Sequence, residues 1–383
     1  MKSGSSARSF AVSYPRISVV IATYNEQRRI AECIRSVLDG SLGTDEVEVV
    51  VADGGSTDRT REVVSEIAAE HPNIRLIDNP GQTAPTGFNC AIRASRGDTI
   101  CVLGAHSCLD PDYLARSVEK LESSDFDVVG GPMVTEGSVE TSEARLVQAI
   151  LSSRFGVGRS FRTQAVEGPV DTVSFGVYRR SVFERIGLYD ERLARNQDSE
   201  LNSRVRAAGG QVWMIPSIWS HYFSRSTLGK MFSQNYHNGL YGILSWRINP
   251  ASFTLRHAIP FAFVLFLLIG GVLAALNWHL RVAFIAVLGL YVLGAIAASV
   301  QVGVQQKTAV AVLLPILFPA LHVAYGLGTL VGVFRFGICS LAEGGPEKLP
   351  PREGNGALGA TPSSVCRIAG SGRTSSQSAR RGR

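Results

Sequence analysis

Charge is scarce in this chain. Asp, Glu, Lys and Arg make up 18% of its 383 residues, and from Ala258 to Phe334 only Arg281 and Lys307 carry it. So long a stretch without charge excludes an ordinary solvated surface and implies that the protein meets two solvents. Cysteine is also sparse: the six residues at 33, 90, 101, 108, 339 and 366 form no C-x-x-C pair and no zinc-like Cys/His spacing. That excludes a zinc module and a disulfide scaffold, and it fits reduced thiols in a cytosolic environment. There is no G-x-S-x-G, no Cys-His pair suited to nucleophilic catalysis and no repeat of solenoid period. The opening "MKSGSSARSFAVSYP" has no apolar run of signal-peptide length, so the part that follows is expected to remain cytoplasmic. The net charge of +6 does not indicate nucleic acid. Acids offset the bases over the first 250 residues or so, and the basic excess gathers beside and after the apolar block, as beside an anionic membrane surface.

What is present is a recurring strand–loop–helix pattern. "ISVVIA" (17–22) runs into Thr23-Tyr24-Asn25-Glu26 and then a helical stripe, Ile30, Cys33, Ile34, Val37 and Leu38. "VEVVVADGGSTD" repeats the plan with a helix from about Thr57, "IRLIDN" precedes a helix over Gly87 to Ala94, and "TICVLGAHS" supplies a fourth strand. This predicts an α/β, doubly wound, mostly parallel sheet. Three apolar segments follow, Ala258 to Leu276, Val282 to Val304 and Thr308 to Phe334, each long enough to span a bilayer. We expect a flexible 1–14, an α/β domain over 15–240, an interfacial linker over 241–257, three or four membrane helices within 258–338, and a disordered basic tail over 339–383. Basic residues flank the apolar block on both sides (Arg247, Arg256 and Arg335, Lys348, Arg352), which favours an even number of crossings. The third segment, with Pro315 and Pro319, would then double back or split, or a weaker span would be hidden.

The chemistry gathers at loops after strands. Asp53-Gly54-Gly55-Ser56-Thr57-Asp58 joins a strand to a helix, where a carboxylate can meet a base or ribose while backbone amides lie near phosphate; the same residues could equally cap the helix. "CVLGAHSCLD" (101–110) is a polar kink at a strand's carboxyl end, where α/β folds hold ligands. Asp110 and Asp112 in "LDPDYL" read as helix caps.

"PRISVVIATYNE", "VVVADGGSTDRT", "NPGQTAPTGFNCAIRASRGD", "LGAHSCLDPDYL" and "VSFGVYRRSVFERIGLYDERLARNQDSELNSRVRAAGG", in that order, resemble the family 2 glycosyltransferases with their nucleotide-sugar-binding GT-A fold. The resemblance covers about residues 15 to 240. "RNQDSELN" and "YFSRSTL" are most similar to the membrane-anchored branch typified by succinoglycan-type exopolysaccharide glucosyltransferases. It implies that Ala22, Thr23, Tyr24 and Glu26 line the nucleoside pocket, that Asp53 meets the uracil ring, and that Gly87 and Asn89 lie near the sugar and phosphates. It also implies a divalent cation (Mn or Mg) held by an acid-x-acid motif, yet here that motif reads Gly104-Ala105-His106. Gly104 has no side chain with which to ligate. Three possibilities stand: His106 ligates the metal, helped by His221 or the diphosphate; His106 donates to phosphate while Arg225 supplies charge; or the site is degenerate.

The resemblance makes Asp198, in "NQDSELN", the general base that takes the proton from the attacking hydroxyl, with Glu200 supporting the loop; the plain alternative is an N-cap Asp. One base and one in-line attack imply inversion. "SRSTLGKMFSQNYHNGLYGILSW" is either an interfacial or a core helix, and it lacks the Q-x-x-R-W pattern of processive relatives, which favours one sugar per encounter. The expectation is a multi-pass inner-membrane glycosyltransferase with a cytoplasmic catalytic domain. It would move a UDP-linked hexose to a lipid-linked saccharide in cell-surface polysaccharide synthesis, alongside other assembly proteins and without nucleic acid. Its alternative is a catalytically silent nucleotide-sugar-binding or scaffold protein. A nucleotidyltransferase is disfavoured because "TYNEQRR" lacks a glycine-rich loop.

Overall fold

In the computed structural model, residues 15–137, 141–158, 162–163, 166–224 and 227–338 are described. The expectations for 1–14, 339–383 and Arg225 lie outside these residues. The chain opens with β1 (Ile17–Thr23), α1 (Ile30–Leu38), β2 (Val47–Asp53), α2 (Thr60–Glu70), β3 (Ile74–Asp78), α3 (Ala84–Ala94) and β4 (Thr99–Gly104). It continues through β5 (Ser107–Leu109), α4 (Tyr113–Glu122), β6 (Val128–Gly130), β7 (Met133–Gly137), α5 (Ser142–Leu151), α6 (Arg154–Val157), β8 (Gly168–Pro169) and β9 (Val177–Arg179). Then come α7 (Arg180–Ile186), α8 (Gln197–Ala207), β10 (Val212–Met214), β11 (Ser220–Ser224) and α9 (Leu228–Ile248).

The main sheet has the order β3-β2-β1-β4-β9-β6-β10-β8, with β3, β2, β1 and β4 parallel and β9 antiparallel to both its neighbours. β1 and β2 are Val/Ile runs with helices on both sides, and Val19, Ile21, Val49 and Val51 face one apolar cluster while Val20, Val50 and Ala52 face another. A second, three-stranded sheet, β5-β11-β7, stands beyond β4. The doubly wound sheet expected from the sequence is thus present.

After α9, a short 3₁₀ turn (Pro250–Ser252) leads into α10 (Leu255–Leu265), which passes through a π turn into α11 (Gly271–Leu276). α12 (Trp278–Gln306) and α13 (Leu314–Gly332) complete the described part, the latter extended by a 3₁₀ turn before it and a π turn after it. Three helices, Leu255–Leu276, Trp278–Gln306 and Ala309–Gly337, are long and apolar enough to cross a membrane. The third stays helical through Pro315, in its first turn, and Pro319, in its interior, so it is not split.

The 241–257 stretch expected as a linker begins inside α9, which runs unbroken to Ile248. α9 lies parallel to α13: Tyr236 meets Gly328, Leu240 meets Gly332, and the Arg247 guanidinium donates to Phe336 O. Glycine makes that approach possible. A Cβ at Gly328 would stand 1.9 Å from Tyr236 O, and one at Gly239 would stand 2.1 Å from Tyr325 O. The segment 142–157, which gave no firm pattern in sequence, is α5 and α6, whose Leu146, Val147 and Ile150 join an apolar cluster with Val302, Leu314 and Phe318.

Replacing Gly328 or Gly239 by Val should therefore part the two helices and cost about 1–3 kcal/mol, the usual penalty for overpacking. Thermal unfolding of the detergent-solubilised chain should show a lowered Tm. Gly289→Ala, where a Cβ meets nothing within 4 Å, is the control and should leave the Tm unchanged or slightly raised.

Candidate active site

β1, β2 and β4 end level with one another, Thr23 opposite Asp53 and Ala22 opposite Gly104. The chain leaves β1 for β2 on one side and returns to β4 on the other, so the crevice beyond these ends is the sheet's switch point. The loops after β1 and β2 are tied together. Asn25, at φ +52°, accepts from Thr57 N at 2.8 Å and donates its own N–H to Ser56 Oγ at 2.9 Å, and Glu26 N donates to Thr60 Oγ1 at 2.8 Å.

Asp53 is only 1% exposed. Its Oδ2 accepts from Gly55 N and Ser56 N at 3.0 Å and from Arg61 Nη1 at 2.9 Å, while Oδ1 accepts from Ser56 Oγ at 2.5 Å. Only the free side of Oδ1 remains for a base. α2 starts at Thr60, three residues later than expected, and Ser56 serves Asp53 instead of capping the helix. Tyr24 stands 54% exposed at the crevice mouth. Thr23 Oγ1 and Ser107 Oγ are buried without a hydrogen-bond partner among the described residues.

Gly87 and Asn89 are both buried. Gly87 lets α3 approach β1, since a Cβ there would lie 2.8 Å from the Ala22 Cβ. Asn89 donates to Tyr189 O at 3.0 Å and to Glu191 Oε1 at 2.8 Å, and accepts from Tyr189 N at 3.0 Å. The amide therefore clamps the segment that leads to α8. Ala105 is buried in the core.

His106 Nδ1 lies 3.3 Å from Glu26 Oε1, and its ring meets Tyr222 edge-on with centroids 4.7 Å apart. His221 cannot help it. Neighbouring strand residues face opposite ways, and His221 is held on the far face of β11 between Asp110 (2.9 Å) and Glu136 (2.6 Å). Burial works against its charge, but the two carboxylates outweigh this and raise its pKa above the ordinary value. Asp110 is thus spent on His221 rather than on a cap, and Asp112 precedes α4 without a side-chain capping bond. Among the described residues no three His, Cys, Asp or Glu side chains converge as a metal site. Gly104 contributes none, and a side chain there would press on Phe175, whose Cε1 would lie 3.2 Å from the Cβ. Glu26 and His106 are thus the two side chains at this edge that could ligate; with phosphate oxygens and water they would complete a shell suited to Mn²⁺, while the imidazole suits Mg²⁺ poorly.

Asp198 lies in the first turn of α8, after Asn196, which adopts the left-handed conformation at φ +63° and donates to Asn238 O of α9 at 3.1 Å. Asp198 is not the N-cap. Its Oδ1 accepts from Tyr189 OH at 3.2 Å, and burial, countered by this bond, raises its pKa to about 6. Burial pushes the Tyr189 phenol well up, so it remains a donor. Glu200 does support the loop: it is fully buried, paired with Arg204 at 2.8 Å, and accepts from Asn249 Nδ2 at 3.4 Å. Sequence reasoning did not single out Asn25, Phe175, Tyr189 or Tyr222. Tyr189 lay inside the motif stretch already quoted, and only tertiary contacts reveal its use.

The arrangement defines a GT-A-type nucleotide-sugar fold. The mannosyltransferase PcManGT of Pyrobaculum calidifontis, solved in complex with GDP-Man and Mn²⁺, shares it, with a TM-score of 0.54 at 18% identity over 84% of this chain and 88% of that one. Residues 18–187 match the sequence model of Glycosyl transferase family 2, so the chain carries a family 2 glycosyltransferase domain and is a glycosyltransferase. It is 29% identical to the succinoglycan biosynthesis protein ExoA of Rhizobium meliloti (strain 1021) over 81% of this chain and 92% of that protein. It is 26% identical, over 83% and 97%, to a Methanococcus voltae dolichyl N-acetyl-α-D-glucosaminyl phosphate 3-β-D-2,3-diacetamido-2,3-dideoxy-β-D-glucuronosyltransferase.

If Asp198 must be ionised to accept a proton, sugar transfer should fall as pH drops through about 6, rather than near 4 as for an ordinary Asp. Tyr189→Phe removes the bond that favours the anion, so the acid limb of the kcat profile should move to higher pH. A limb that stays in place in the variant would show that the phenol does not tune Asp198.

Proposed function

We propose that this glycosyltransferase moves a hexose from a UDP-linked donor to a lipid-linked saccharide at the membrane, with inversion and with Asp198 as general base, in the assembly of a cell-surface polysaccharide. The observation that carries this reading is Asp198 itself: a half-buried carboxylate, oriented by Tyr189 and titrating near 6, close enough to neutrality to accept a proton in the transition state. The acceptor hydroxyl oxygen attacks C1 of the sugar and its proton passes to Asp198. The C1–O bond to the diphosphate breaks and its electron pair leaves on the β-phosphate oxygen. Tyr24 would cover the base and the free side of Asp53 Oδ1 would accept from it, in a crevice walled by the tied loops after β1 and β2. Glu26 and His106 would hold a divalent cation beside the diphosphate, which would stabilise the charge developing on the leaving group. The acceptor class is supported by relatives named for a dolichyl-phosphate-linked sugar and for succinoglycan, and by three helices long and apolar enough to cross a membrane.

Membrane placement follows the same logic. α10–α11 and α12 form a hairpin of two crossings, and α13 lies against α9 at the face of the catalytic part, which keeps both basic flanks cytoplasmic. A reporter fused after Arg383 should then read as cytoplasmic; an external signal would mean three crossings.

Membranes containing the chain, given a panel of nucleotide sugars, should incorporate sugar into lipid extracts. Asp198→Asn should lower the rate about 10²–10⁴-fold, the usual worth of a general base. The closure of the Gly104 position by Phe175 favours one competing view, a silent nucleotide-sugar binder. That view predicts donor binding with no product from any sugar in the panel, and equal silence for Asp198→Asn.

A further inference from the structure

Asn89 has no amide hydrogen left for a ligand. It lies on α3, only 2% exposed. An asparagine amide carries two N–H hydrogens; here Nδ2 gives one to Tyr189 O at 3.0 Å and one to Glu191 Oε1 at 2.8 Å, while Oδ1 accepts from Tyr189 N at 3.0 Å. The place near sugar and phosphates that the family resemblance implies is therefore not a contact made by these hydrogens. Instead the side chain meets both backbone groups of Tyr189, as a neighbouring strand would, and the paired bonds fix the rotation of that peptide as well as its position. Without the amide, a buried N–H and a buried C=O would lose their partners.

Tyr189 is held a second time from the same helix. The Phe88 ring packs against the Tyr189 ring with centroids 5.5 Å apart, and Tyr189 is itself buried. Its hydroxyl then donates to Asp198 Oδ1 at 3.2 Å, the one hydrogen bond made to that carboxylate among the described residues. The titratable groups facing Asp198 are the phenols of Tyr189 and of Tyr178 on β9; burial pushes both up, so neither brings a charge. α3 also carries Gly87, packed on Ala22 at the end of β1. A single helix thus touches both the strand end that opens the donor crevice and the tyrosine that orients Asp198.

We propose that Asn89 is a positioning residue for the base: by pairing with both backbone groups of Tyr189 it sets the phenol, and through it the Asp198 carboxylate, at a fixed offset from the donor crevice, without touching the donor. This rests on the reading of Asp198 as general base. The acceptor's proton must meet a carboxylate oxygen within hydrogen-bond reach as the new bond to C1 forms, and a phenol bonded to Oδ1 leaves Oδ2 to receive it. An unclamped Tyr189 would let both that distance and the phenol's bond vary. The effect falls on the transfer step and not on donor binding.

The test follows sugar transfer against pH in membranes containing the chain, at a saturating level of whichever nucleotide sugar of the panel gives product, and binding of UDP and GDP to the purified full chain in detergent. Asn89→Ala should lower kcat by up to about a hundredfold, the cost of misplacing a catalytic group by about 1 Å. It should also move the acid limb to higher pH, because the bond that favours the Asp198 anion is weakened. The donor KM and nucleoside diphosphate binding should stay as in the unsubstituted chain, which also shows that the variant folds. In a Tyr189→Phe background the same substitution should move the limb no further, since the phenol that carries the effect is gone. Phe88→Leu loosens the Tyr189 ring without stripping a buried backbone group of its partner; it should move the limb the same way by less, and it carries the test if Asn89→Ala does not fold. The proposal is overturned if Asn89→Ala leaves kcat and the acid limb unmoved, or if the limb moves equally in the Tyr189→Phe background. It is also overturned if the substitution acts by raising the donor KM and weakening diphosphate binding, which would make Asn89 a donor ligand. Undiminished transfer by Asp198→Asn would instead remove the base reading itself.

Discussion

The level ending of β1, β2 and β4 is the constraint from which the rest of the site is built. Parallel pairing in register brings Thr23, Asp53 and Gly104 side by side although they lie far apart in sequence. Strands buried on both faces resist slipping, because a one-residue shift would turn every side chain to the wrong apolar cluster. The loops that follow inherit this fixed edge and are joined by Asn25, so the walls of the crevice are held by short side-chain-to-backbone bonds. A ligand entering here meets a largely preformed surface, and little of its binding energy need be spent on ordering loops.

The acceptor side is attached to that edge by a different device. Asn89, on the helix leading into β4, uses both ends of its amide on the segment that carries Tyr189, and Tyr189 orients Asp198. On the other flank, Asn196 reaches α9 and Asn249 reaches Ser203 and Glu200 of α8. α9 in turn is seated on α13 through glycines. Asp198 is therefore held between the sheet that defines the crevice and a helix that borders the apolar helices. Under the proposed function that placement suits an acceptor presented at a bilayer surface, since its height above the lipid would be fixed relative to the carboxylate proposed to take its proton.

Much of this was legible before the fold was in hand. Period-2 and period-3.6 patterns located β1 to β4 and their helices, and the near-absence of charge located the three apolar helices, because both signals are local. The positions of Asp53 and His106 at strand ends followed from local pattern, and that of Asp198 at a helix start from the family resemblance. The surroundings of His106 did not, because Glu26 and Tyr222 lie far from it along the chain, and the bonds that seat these loops on the rest of the fold are longer-range still. Asn89 and Tyr189 are separated by 100 positions, and His221 and Asp110 by 111. His221 was expected near His106, and strand alternation turned it away. The helix after Asp53 was expected at Thr57; Ser56 instead bonds to Asp53, and the helix waits until Thr60. α5 and α6 escaped notice because they lie inside a polar, glycine-containing stretch, and only the fold shows their short apolar face joining Val302, Leu314 and Phe318 of the apolar helices.

Gly104 is the position where local reading was most misleading on its own. Taken as a missing ligand it suggests a damaged site, since nothing near it in sequence supplies a substitute. In the fold, the space left by the missing side chain is occupied by Phe175, and Phe175 is kept in a costly backbone conformation to occupy it. A merely eroded motif would leave a gap or admit water beside the buried Ser107 hydroxyl. Tyr113 fixes the Phe175 backbone carbonyl, and the half-exposed ring borders the crevice where the diphosphate would lie. Lower local polarity strengthens every remaining charge interaction at that spot.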